Sequence, residues 1–158
     1  MLMSSQTRAQ DSTRLKRFEY VVGSSLVFSL GDYVGFNLVK QAHLLTDNHA
    51  PSWFRLLEGT VQAALSYFLY EECGLSSVIS FNLMWWTWND DFAYYGWGYV
   101  TGLFPWESRS ESGLRFHEYN SAGWTPLGLL RPQGSMIAKD ALVAQAVIGL
   151  SVSMAILW

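Results

Sequence analysis

Cysteine is almost absent from this sequence: Cys73 stands alone among 158 residues, which excludes an intrachain disulfide and any CxxC metal pair. Histidine is scarce too. His43, His49 and His117 form no HxxxH or HExxH spacing, so a histidine-built zinc or iron centre is not expected. The chain has no GxSxG nucleophile elbow and no glycine-rich phosphate loop ending in GK[ST]. Charged residues make up only 15%, against about 25% in ordinary soluble domains. With a net charge of −3 and no basic stripe interleaved with aromatics, nucleic acid is not expected as a partner. Internal repeats and low-complexity tracts are missing as well.

Apolar and aromatic residues fill the chain instead. Half of it is hydrophobic and 16% is aromatic, with eight Trp. Trp and Tyr gather at membrane–water interfaces, where an amphipathic ring meets both apolar and hydrated surroundings. A chain of this length has room for one domain of about four helical passes. The expected fold class is therefore all-α: a small polytopic helical membrane protein, with the lipid bilayer as its surroundings.

Residues 1–17 are polar and carry Arg8, Arg14, Lys16 and Arg17. Residues 18–158 then read as a single helical membrane domain. Its first span is expected over 18–40, interrupted in polarity by Asp32 and Asn37. This run is longer than a secretory signal core, so it is read as a transmembrane helix. A second span is expected over 53–72, with Ser52 as its N-cap and Gly74 as its stop. The last span is expected over 136–158, ending on Trp158. Between 105 and 135 lies a long connection rich in Gly, Pro, Ser and Arg. It is too apolar for simple disorder and is expected to pack at the membrane surface.

Residues 75–104 admit two readings. As one helix they would be about 45 Å long, against a hydrocarbon core of about 30 Å. Asn89, Asp90 and Asp91 divide them into halves of about 20 Å, each too short to cross alone. Either the segment is one tilted helix with polar groups inside, or it is a broken, re-entrant hairpin. The positive-inside tendency bears on the choice. The basic N-terminus is expected to be cytoplasmic, and a hairpin would keep Arg109, Arg115, Arg131 and Lys139 on that same side.

The residues that could carry chemistry are carboxylates. Asp90 and Asp91 sit between WWTW and YYGWGY, and helical spacing sets Trp86, Asp90 and Tyr94 on one face and Asp91 with Tyr95 on another. An ionised Asp at mid-bilayer costs about 2.5–3.5 kcal/mol, so such a group faces a cavity, a partner or a metal. Adjacent carboxylates suit Mg²⁺ held against a phosphorylated lipid, or a shared proton. The alternative is a polar turn at the membrane surface. Glu71 and Glu72 read as a second acidic pair or as an interfacial helix end. Asp32 is flanked by Gly31 and Gly35, whose spacing admits a close helix neighbour. Gly98/Gly102 and Gly149/Ser153 have the same spacing and read as faces for other membrane helices.

Two functions follow as expectations. One is a membrane-embedded enzyme acting on a lipid-like substrate by acid–base or metal-assisted chemistry. Asp90 and Asp91 would be its reactive pair, Glu72 and Asp32 its support, and Tyr94 and Tyr95 its hydrogen-bond donors. The other is a non-catalytic accessory subunit of a larger membrane complex. The residues single out no cofactor, reaction or particular metal.

Overall fold

A computed structural model describes residues 5–42, 44, 51–87, 93–101, 116–118 and 136–158. Its elements are α1 (Ser5–Gln41), α2 (Ser52–Cys73), α3 (Leu75–Met84), α4 (Tyr94–Thr101), β1 (Phe116–Glu118), β2 (Met136–Ala138) and α5 (Lys139–Leu157). The architecture is helical, as expected. Among the described residues it also contains the short antiparallel β1–β2 ladder, which pairs Phe116 with Ala138 and His117 with Ile137. β1 falls inside the connection read as a surface loop.

α1 is one helix of 37 residues, about 55 Å long, so the polar N-terminal stretch from Ser5 continues without a break into the apolar run. Pro51, with φ −62 and ψ 151, supplies the N-cap of α2. Its carbonyl accepts from the amides of Phe54 (2.9 Å) and Arg55 (3.2 Å). Ser52, expected to cap, is instead the first helical residue, because the fixed φ of proline already sets the chain at the cap position.

Gly74 is the stop the sequence announces. Its φ of +82 is a conformation in which a side chain clashes, and its amide donates to the Tyr70 carbonyl at 2.9 Å. The Gly74 carbonyl accepts from Ser77 at 3.1 Å and opens α3, so a single residue links the two helices.

α1 and α2 run antiparallel. Lys16 meets Glu72, Tyr20 meets Phe68, and Phe36 meets Phe54. Gly35 is where they approach most closely: a Cβ there would lie 3.0 Å from the Phe54 ring. α3 and α5 are also antiparallel, with Ser80 beside Ser153 and Thr87 beside Gln145. Gly149 lies against the Thr87 side chain, which any larger residue would overlap. At the far end of α5, Trp158 packs edge-on against Phe18. One end of the bundle, the basal end, thus gathers Lys16, Gly74 and Trp158.

α5 has 19 residues, about 28 Å, so Lys139 and the adjoining β2 lie at the opposite, distal end. β1, the described part of the 105–135 connection, is paired with β2 and so lies at this distal end. A full-length α5 returning to the basal end has to start from the distal one.

The 75–104 segment is interrupted. α3 passes into a π-helical turn over 85–87, residue 93 is again π-helical, and α4 follows. Phe81 packs on Phe28, and the Trp97 indole N–H donates to Ser29 Oγ at 2.8 Å. Sixteen residues of straight helix would separate positions 81 and 97 by about 24 Å, yet both meet consecutive residues of α1. α3 and α4 cannot be successive lengths of one straight helix.

The interior mixes two kinds of residue. Val21, Phe28, Leu69, Phe81, Met84 and Leu157 form the apolar core. Around them small polar side chains are buried: Ser24, Ser25, Ser29 and Asn37 on α1, Ser77, Ser80 and Thr87 on α3 and its π turn, and Gln145 and Ser153 on α5. The outside is the reverse, exposing Val27 and Leu38 of α1, Leu56, Leu57 and Tyr67 of α2, and Val147, Ile148 and Val152 of α5. Among the described residues, one helical stretch, Thr13–Val39, is long and apolar enough to cross a membrane; Val143–Leu157 is apolar but shorter. α2 has the length, at 22 residues, without the apolarity.

Candidate functional site: dispersed carboxylates and a polar seam

Glu72 closes α2 at the basal end. It is exposed, and its Oε2 accepts from Lys16 Nζ at 3.2 Å, with the same ammonium 5.2 Å from the Tyr20 ring centroid. Asp32 is half-buried on α1, sixteen residues beyond Lys16, or about 24 Å along the helix. Glu72 and Asp32 therefore do not share a site. The antiparallel register explains the separation, because it sets each α1 residue opposite an α2 residue and holds the two ends apart.

That register brings a different carboxylate to the height of Asp32. Glu58 lies one turn basal to Phe54, which faces Gly35 and Phe36, so it stands level with the Asp32 turn of α1. Arg55 Nη1 donates to Glu58 Oε2 at 2.9 Å, and Glu58 Oε1 is buried with no hydrogen-bond partner among the described residues. Glu58 is not among the carboxylates that stand out in the sequence. The usable signal was Arg55 three residues away, on a helix otherwise apolar over that turn.

Asp90 and Asp91 lie outside the described residues. Tyr94 and Tyr95 open α4, whose backbone follows the π-helical residue 93. Of the six residues expected to form a centre, the described ones are thus spread over three places: Glu72 at the basal end, Asp32 partway along α1, and Tyr94 and Tyr95 at the start of α4. Among the described residues no group of three or more His, Cys, Asp or Glu is placed to hold a metal ion.

What the helices do assemble is a seam of hydrogen bonds. Ser80 Oγ donates to the Ser153 carbonyl (3.1 Å), and Ser153 Oγ donates back to the Ser80 carbonyl (3.2 Å). Gln145 Nε2 donates to the Thr87 carbonyl at 3.1 Å, in the π turn, where the regular helical ladder is interrupted. Between α2 and α3, Gln62 Nε2 donates to Asn82 Oδ1 (2.8 Å) while Asn82 Nδ2 donates to Ser66 Oγ (3.0 Å).

The small-residue faces expected to receive other helices are partly used within the chain. Gly35 receives Phe54, Gly149 receives Thr87, Ser153 binds Ser80, and Gly98 is buried. Gly31 has open space over its Cα, and Gly102 lies outside the described residues. No protein-family model, curated protein or solved structure matches the chain.

Proposed function

We propose that this chain is a multi-pass integral membrane protein serving as a non-catalytic helical subunit of a larger membrane complex. The observation that carries the reading is its inverted distribution of residues: serine, asparagine and glutamine side chains bond between helices inside, while Leu, Val, Ile and Tyr face outward. Lipid leaves no hydrophobic drive between helices, so small residues and interhelical hydrogen bonds hold them together. In this reading α1, α2 and α5 cross the bilayer, and the interrupted α3–α4 segment is embedded beside them. The dense basic cluster of residues 8–17 keeps the N-terminus cytoplasmic.

The subunit role is supported by the carboxylates. Glu72 is engaged with Lys16 and lies about 24 Å from the height of Asp32, so these groups build no common centre. Purification of the tagged full chain in mild detergent tests this. A partner retained at fixed stoichiometry is expected, unaffected by Asp90→Asn or Asp91→Asn. A catalytically active monomer or homo-oligomer would contradict the subunit role.

One observation favours the enzyme as a second reading. π-helical backbone stands on both sides of the stretch holding Asp90 and Asp91, and such insertions recur at functional sites. There the two aspartates would act as proton carriers or hold a divalent cation against a lipid-like substrate, with Tyr94 and Tyr95 donating hydrogen bonds. Asp90→Asn and Asp91→Asn would then each abolish turnover without loss of folded yield.

A further inference from the structure

We propose that α2, less apolar than α1, presents a lipid-facing belt bounded by an aromatic side chain at each end. The inference rests on the membrane reading above and goes beyond it, fixing where the two headgroup layers meet the protein.

Trp53 and Tyr70 are both more than half exposed and stand seventeen residues apart, about 26 Å along the helix axis. That is close to the thickness of a bilayer hydrocarbon core, about 30 Å, and Trp and Tyr are the residues that settle at its two boundaries. Trp158, exposed on α5 and packed on Phe18, joins Tyr70 at the basal boundary. Beyond it lie the charges of Lys16 and Glu72, paired in the headgroup layer.

The polarity of α2 lies almost wholly off the lipid. Gln62 and Ser66 turn inward to Asn82 of α3. The exposed Thr60 hydroxyl donates to the Leu56 carbonyl of its own helix at 2.8 Å, and Ser151 on α5 does the same to Val147 at 2.8 Å. Exposed hydroxyls satisfied in this way suit hydrocarbon, where no water is available to bond them. The belt's two charges, Arg55 and Glu58, are paired with each other within the first two turns below Trp53, near enough to the distal headgroups for the arginine to snorkel.

Depth measurements on spin-labelled protein test the belt. Single-cysteine variants Trp53→Cys, Val61→Cys and Tyr70→Cys of the full chain, in phosphatidylcholine vesicles, would be compared by their relative accessibility to oxygen and to a water-soluble nickel chelate. Cys73 is buried, and the unsubstituted chain serves as the labelling blank. Val61 is expected to show an oxygen preference several-fold above that at positions 53 and 70, with those two alike. A nickel-accessible Val61, or three equal depths, would overturn the belt. Val27→Cys on α1 separates this failure from that of the membrane reading: a deep label at 27 with an aqueous one at 61 removes only the belt, whereas aqueous labels at both remove the two together. Circular dichroism of each variant confirms that the helices are retained.

Discussion

At Gly74 the backbone takes a φ that L side chains rarely adopt, and the helical hairpin turns on that single residue. A Cβ there meets no neighbouring atom, so the whole penalty of Gly74→Ala is conformational, about 1–3 kcal/mol. Chemical unfolding in detergent micelles reads it directly, and an unchanged midpoint would contradict the assignment. Gly149→Ala fails for the opposite reason. Its backbone is ordinary helix, but the methyl group overlaps Thr87 and forces α3 and α5 apart. The expected loss is about 1–3 kcal/mol, relieved in part by Thr87→Ala in the same chain. The Lys16–Glu72 pair is a contrast. Both side chains are nearly half exposed and screened by solvent, so Glu72→Gln should leave the unfolding midpoint essentially unchanged. At this scale the sequence announces a glycine stop by its position between two apolar runs. It does not announce that Pro51 rather than Ser52 caps α2, because both residues suit that position.

Helices α3 and α5 are held by two serines that exchange hydrogen bonds with each other's carbonyls across the interface. Interhelical hydrogen bonds in membranes contribute about 0.6 kcal/mol on average and at most about 1.7 kcal/mol. Each hydroxyl bonds a backbone carbonyl that the other substitution leaves in place, so Ser80→Ala and Ser153→Ala should each cost stability within that range and the two losses should add; no loss from either would mean the pair is incidental. Hydropathy made α1, α2 and α5 legible, since each is an apolar run closed by charge, proline or glycine. It made the glycine and serine positions legible as packing faces as well. It did not reveal their partners: Ser153 meets Ser80 and Gly149 meets Thr87 through contacts distant in sequence, which local periodicity does not encode. The break in 75–104 was one of two readings. Phe81 and Trp97 meeting adjacent residues of α1 favours it over a single straight helix.

For the molecule as a whole, the antiparallel pairing of α1 with α2 and of α3 with α5 decides what the carboxylates can do. It holds Glu72 at the basal end, sets Glu58 at the height of Asp32, and keeps Glu72 and Asp32 from sharing a centre. The sequence marked Asp32 and Glu72 as unusual because they border or interrupt apolar runs, but grouping them required the register between helices. The same pairing fixes which helix ends lie together. Leu44, just past α1, lies at the distal end; Leu75, following Gly74, and Trp158 lie at the basal end. The most direct measurement is labelling of Leu44→Cys, Leu75→Cys and Trp158→Cys with a membrane-impermeant maleimide in sealed vesicles of each orientation. A multi-pass bundle predicts that positions 75 and 158 react from one face and position 44 only from the other. Labelling of all three from the same face would contradict it.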